Sequence, residues 1–210
     1  MKNAKKGPTQ RQLQAQQTRA KIFKTALRLF AKYHYENVTI DDIARYSGVS
    51  KGSFYTYFRS KDHIMLEQFR KIDDHYEAWF QTFSPEKSAS EQLLSFVKSL
   101  AVFVSQEMQL NILTVVYTSQ ISLSSTGPRL LADEDRPYYK IITAIIEAGI
   151  QQGEFRDDVP VAELTRVIAR FVRGLLYDWC LFEGAFDLPT EAEHYFTLIM
   201  GMLKKPQPVR

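Results

Sequence analysis

The residues of this 210-residue chain best placed to do chemistry lie between Val38 and Lys61. That stretch interleaves hydroxyls, tyrosines and two lysines with apolar residues at helical spacing. It suits a rigid grip on a polyanion and not bond breaking. Thr39 is placed to cap a helix whose apolar positions are Ile40, Ile43 and Ala44, and Asp42 puts an acid in its first turn. Gly48 stops that helix with the residue type that most readily takes positive φ, and Val49 plugs the turn. Ser50 then caps a second helix over 51–57. Phe54 and Phe58, four apart, point into a small core and leave Lys51, Ser53, Tyr55 and Tyr57 for other faces. Two short helices joined by a glycine turn form a DNA-reading unit.

The lysines sharpen this reading. Lys51 opens the second helix, and Lys61 follows Ser60, the expected cap of a third. Each puts a positive charge at the positive end of a helix dipole, where an anion and not a cation is favoured. The placement makes sense when a phosphate binds there, because a helix N-terminus also offers free backbone amides.

The run Thr39-x-x-x-Ile43-Ala44-x-x-Ser47-Gly48-Val49-Ser50-Lys51-Gly52-x-Phe54-Tyr55-x-Tyr57-Phe58-x-x-Lys61 resembles the signature of TetR-type transcriptional regulators. The close match covers roughly residues 18–66; the rest resembles the family in length and helical character. The resemblance implies that Thr39, Ser53, Tyr57 and Lys61 bind phosphates. It also implies that Lys51, Gly52 and Tyr55 lie near base edges in the major groove, with Ser50 at the same surface. Tyr55 has a structural alternative, its ring packing beneath the helix. Thr56 departs from the larger or more basic residue common at its position, which leaves the operator sequence open.

Further elements must hold this unit in place. The first helix is expected over 11–33, with Ile22, Phe23, Ala26, Leu27, Leu29 and Phe30 as its core stripe. A long linking helix over 61–83 carries Ile64, Met65, Phe69, Ile72, Tyr76 and Trp79. The cluster Ser84-Pro85-Glu86-Lys87-Ser88 breaks the chain, and Ser88 or Ser90 caps the next helix. Helices follow at about 89–106, 109–124, 129–153, 158–184 and 189–204. No segment alternates with period two between hairpin turns. The expected fold is all-α, about nine helices, in two parts. A three-helix helix-turn-helix domain over 11–60 precedes the linking helix, and a ligand-binding and dimerisation domain covers 84–210. Residues 1–10, with Lys2, Lys5 and Lys6, read as a disordered basic arm, solvated or reaching the minor groove.

Charge follows the same division. Residues 1–80 carry fifteen lysines and arginines against eight acids, and residues 81–210 carry twelve against sixteen, dividing the net +3 into +7 and −4. The N-terminal part attracts DNA and the remainder does not. The single cysteine, Cys180, excludes an internal disulfide and sits among apolar neighbours as a buried, inert thiol. No apolar run reaches the length of a membrane span and no secretory signal opens the chain, so a cytoplasmic protein without a membrane partner is expected.

The last two long helices are apolar on more than one face. Covering both sides calls for a second copy, in a homodimer built from Phe171, Leu175, Phe196, Ile199, Met200 and Leu203. A dimer also supplies the two recognition helices that a palindromic operator needs. The middle helices are rich in aromatic residues, and the resemblance implies a pocket for a hydrophobic or aromatic small-molecule effector. Its candidate lining is Phe103, Tyr117, Gln120, Tyr139 and Trp179, with Glu147, Arg173 and Asp178 as further polar groups; Arg173 and Asp178 could instead pair. His34, His63, His75 and His194 are scattered, with no cysteine cluster or glycine-rich phosphate loop. No catalytic residue, metal or cofactor is therefore expected. A nucleoid or division factor that senses no metabolite, or an activator, remains the alternative to a repressor.

Overall fold

The computed structural model describes residues 9–82, 86–108, 110–121 and 128–205. These hold nine α-helices and one isolated backbone bridge, between Phe155 and Lys204. Helix α1 spans Gln10–Tyr33 and opens on a reciprocal cap between Thr9 and Gln12. The helix thus begins one residue before the expected 11, and residues 1–8 of the expected basic arm fall outside the described residues. Helix α2 spans Ile40–Ser47, α3 spans Lys51–Tyr57 and α4 spans Lys61–Phe80. Every one of these three follows a residue whose hydroxyl accepts a backbone N–H three positions on: Thr39, Ser50 and Ser60. Gly48 closes α2 at φ +68°, ψ +35°, a left-handed conformation that costs a side chain about 1–2 kcal/mol.

Helix α5 spans Ala89–Val102, capped by Ser88 and Glu91 reciprocally. It was expected to run on to 106 but passes into a π-helical turn, Phe103–Met108, before α6, Leu110–Ile121. The helix expected over 129–153 is two pieces. A 3₁₀ turn at Leu130–Ala132 precedes α7, Pro137–Gln151, which begins where Pro137 offers a preset φ and needs no N–H partner. Helix α8, Val161–Leu181, starts after Pro160 and ends before positive-φ Glu183 and Gly184. Helix α9, Leu188–Leu203, is capped by Asp187. The breaks expected at Ser84-Pro85 and Thr126-Gly127 lie outside the described residues.

Buried residues form one continuous cluster from Ile22 to Leu203. Around the first helices it consists of Ile22, Phe30, Ile43, Phe54, Phe58 and Ile64, all essentially inaccessible. Further along, α5 packs against α7 and α9, and α7 packs against α8. Helix α4 joins the two regions. Its Tyr76 and Trp79 rings meet Phe96 of α5 at 5.7 and 4.9 Å, and Tyr76 meets Tyr138 of α7 at 5.6 Å. One turn earlier, Asp73 takes a bidentate contact from Arg136 at 2.7 and 3.2 Å.

Candidate nucleic-acid interface and effector cavities

The reading surface is built from α2, the turn at Gly48 and α3. Thr39 Oγ1 accepts from the Asp42 N–H at 3.1 Å and donates to the Asp42 carboxylate at 2.6 Å. The Thr39 hydroxyl and backbone N–H donated to this carboxylate, with Arg45 nearby, hold it below its ordinary pKa. Ser47 is fully buried and returns its hydroxyl to Ile43 O at 2.6 Å, locking the end of α2. Ser50 Oγ accepts from Ser53 N at 3.0 Å. Phe54 and Phe58 are inaccessible, so the position of α3 is fixed from beneath.

What remains outside is Lys51, Gly52, Tyr55, Thr56 and, half-buried, Ser53 and Tyr57. Tyr55 is 49% exposed, its ring meeting Phe54 edge-on, so about half of its surface faces outward. Gly52 is informative. Its φ is not in the left-handed region, and a Cβ there would meet only Ser50 Oγ, at 3.9 Å. Neither backbone nor packing requires glycine, although it weakens a helix by about 0.5–1 kcal/mol relative to alanine. Lys51 Nζ contacts Asp41 Oδ2 at 2.9 Å across the two helices, and this carboxylate raises the lysine pKa. Sequence reasoning missed Asp41, because the pair is ten residues apart and is made only when α2 and α3 cross. It also missed Lys21, whose ammonium lies beside the Gly48 turn; its place on the polar face of α1 was the available signal.

Lys61 is less free than its position suggested. Its Nζ donates to Tyr35 O at 2.9 Å, Val38 O at 2.8 Å and Glu36 O at 3.4 Å, and it lies 4.7 Å from the Tyr35 ring centroid. Burial draws its pKa below the ordinary lysine value, against the pull of Asp62 and Glu36. The side chain thereby clamps the loop between α1 and α2.

The five residues expected to line one pocket are distributed differently. Tyr117 and Gln120 share a 480 Å³ cavity between α6, α8 and the segment before α7, with Arg173. Tyr139 is buried behind it, donating to Leu131 O at 3.2 Å and accepting from Arg173 at 3.1 Å. Phe103 instead stacks on His75 at 4.0 Å in a separate cavity beside α5. Trp179 is core, its indole N–H donating to Phe186 O at 3.0 Å. Arg173 turns to Leu131 O and Tyr139 and not to Asp178, which lines a third cavity; Glu147 is exposed. Cys180 is half-buried, and burial pushes its thiol pKa up.

The expected dimer face needs correction. Phe196, Met200 and Leu203 are buried inside the chain and cannot present themselves to a partner; Phe171, Leu175 and Ile199 are half-buried. The exposed large apolar residues of the same helices are Val167, Tyr177, Leu181, Tyr195, Leu198 and Met202, the last two 64% and 65% exposed. A helix apolar all round does not say which stripe faces its own core.

The sequence matches two family models end to end. Residues 22–67 match that of bacterial regulatory proteins of the tetR family, and residues 69–202 match the C-terminal region of YsiA-like proteins. The chain belongs to the TetR family. Among TetR-family relatives, the fatty acid metabolism regulator protein of Bacillus subtilis is 22% identical over 181 residues, covering 86% of this chain and 92% of the relative. The crystal structure of FadR from Bacillus subtilis in complex with stearoyl-CoA superposes with a TM-score of 0.72 at 21% identity, covering 86% of this chain and 97% of that one. NalD, the secondary repressor of the MexAB-OprM multidrug efflux pump in Pseudomonas aeruginosa, gives 0.75 at 19% identity, covering 91% and 98%. Among the described residues no single helix is long and apolar enough to cross a membrane.

Proposed function

We propose that this TetR-family transcriptional regulator is a cytoplasmic, ligand-responsive repressor that binds a palindromic operator as a homodimer. The observation that carries the DNA reading is the outward face of α3, where Gly52 answers to nothing inside the chain. Lys51, Gly52 and Tyr55 address base edges, while Thr39, Ser50, Ser53, Tyr57 and Lys61 position the backbone. Residues 11–60 act as the reading domain, α4 as the link, and the helices after residue 84 as the regulatory and dimerisation domain.

The exposure of Val167 on α8 and of Leu198 and Met202 on α9 supports pairing of two copies through these helices. An effector with an apolar body is supported by the cavities beside α6 and α8 and by the stearoyl-CoA held in the Bacillus subtilis relative. Its binding shifts α4 and with it the spacing of the two α3 helices.

Selection from a pool of randomised duplexes, with light scattering of the free and bound protein, tests this reading. The expected result is a two-fold symmetric sequence bound by two copies. A monomer that enriches no duplex refutes it. Enrichment of many unrelated sequences instead favours a nucleoid or division factor.

A further inference from the structure

The 480 Å³ cavity between α6 and α8 has an unusual balance of charge. Its apolar walls come from Tyr117, Ile121 and Tyr177, and three arginines line it: Arg129, Arg170 and Arg173. No carboxylate lines it among the described residues. This sits within residues 81–210, whose overall charge is negative. Arg173 is half-buried, yet its guanidinium has a carbonyl, Leu131 O, and a phenol, Tyr139, as its acceptors. Neutral acceptors leave its charge uncompensated in a partly desolvated place, where an anion is most strongly favoured. The same charge works against burial in setting the Tyr117 and Tyr138 hydroxyls. Arg170 is exposed and lines both this cavity and the neighbouring one that holds Asp178 and Glu191.

One wall of the cavity is a strap, Pro128–Arg136, tied at both ends. At the cavity end, Leu131 N donates to Gln120 Oε1 at 3.2 Å, and Leu131 O accepts from Arg173 and Tyr139. At the other end, Arg136 donates to Leu130 O at 3.0 Å and forks onto Asp73 of α4, with its guanidinium 4.7 Å from the Phe69 ring centroid. The Arg136 side chain is only 10% exposed, so this second tie is firm.

We propose that this cavity takes an amphipathic anion, with its carboxylate or phosphate on Arg170 and Arg173 and its apolar body against Tyr117, Ile121 and Tyr177. The bound anion displaces Leu131 O from Arg173, the strap shifts, and Arg136 carries the shift to Asp73 on α4. The ligand class rests on the cavity alone. The consequence for DNA rests on the repressor reading above.

Calorimetric titration of the full chain with decanoate, decyl phosphate, decanol and decyltrimethylammonium tests the class. At least one anion should bind about tenfold or more tightly than decanol and the cation, since each charge-assisted bond is worth at least that factor. A preference for one anion names which headgroup the site takes. Arg170→Gln and Arg173→Met should each remove the advantage and leave decanol unchanged. Equal binding of all four probes, or anion binding unchanged in both variants, overturns the site. Arg170 is exposed, so its variant decides the question even where Arg173→Met fails to fold. For the strap, the double replacement Asp73→Leu/Arg136→Met exchanges a half-buried pair for apolar side chains, which such sites tolerate. It should keep anion binding while the anion no longer weakens retention of the selected duplex in a gel shift. Continued release overturns the relay. Failure of the parent protein to retain any duplex refutes the repressor reading and leaves the probe titrations to decide the ligand class.

Discussion

Lys61→Met keeps the aliphatic stem of the lysine and removes its charge. The variant leaves Tyr35 O, Glu36 O and Val38 O without the ammonium that now serves them, two of them at 2.9 and 2.8 Å. A hydrogen bond to a charged group contributes about 1.5–3 kcal/mol. Burial of the ammonium works against that gain, as its lowered pKa records. With two good bonds, one long one and this offset, the net loss is about 2 kcal/mol. For a chain of this length that lowers Tm by about 4–8 °C. Differential scanning calorimetry without DNA measures it directly. A variant that melts within about 1 °C of the parent refutes the clamp, since the loop would then not depend on the lysine. The phosphate contact proposed for the same atom has its own readout. Losing it reduces the slope of log affinity against log salt by about 0.9 per phosphate, so an unchanged slope removes Lys61 from the DNA-contact set.

Gly149→Ala should destabilise strongly, because a Cβ there falls 2.6 Å from Phe155 Cε2 and 2.8 Å from Ala89 Cβ, and closer still to Phe155 Cδ2. Overpacking of this kind costs about 1–3 kcal/mol, measurable by urea unfolding; a parent-like midpoint would mean that Phe155 swings aside. Asp41→Asn frees Lys51 and removes a carboxylate from the reading surface. Affinity for all duplexes should rise and its salt dependence steepen, without a change in Tm, and unaltered affinity would place Asp41 away from the DNA. His75 is held below its ordinary pKa of 6.5, chiefly by burial against Phe103, with Glu107 and Ser99 opposing. The unfolded chain therefore takes up that proton first, and stability falls as pH drops through about 6.5 toward the folded pKa. His75→Gln should flatten this part of the Tm–pH curve; equal losses in parent and variant would show that His75 does not contribute.

The helix boundaries around the reading surface were written locally. Thr39, Gly48, Ser50 and Ser60 act on partners within four residues, so each cap and turn could be assigned from spacing alone, and each is present. Phe54 and Phe58 were also legible as the underside of α3, since a four-residue interval fixes a common face. Pro137 was a legible start for α7 that the apolar continuity of residues 129–153 obscured. The π-helical turn after Val102 had no such marker, since Phe103, Val104 and Met108 would suit either helix type.

Everything else depended on contacts between residues remote in sequence. Lys61 meets the loop at Tyr35–Val38 from more than twenty residues away, and that distance turned an expected phosphate ligand into a loop clamp as well. Helices α8 and α9 are apolar over most of their circumference, so periodicity could not say that Phe196 and Met200 turn inward while Leu198 and Met202 turn out. The aromatic residues chosen for one pocket are divided between two core positions and separate cavities, because helix crossing and not side-chain type decides which rings line a void. Sequence alone thus determined the reading unit, whose interactions close within one or two helical turns. Tertiary structure alone decided which stripes of α8 and α9 stay exposed, the cavities and the tie from Arg136 to Asp73, because packing selects among faces that a near-uniform apolar helix leaves equivalent.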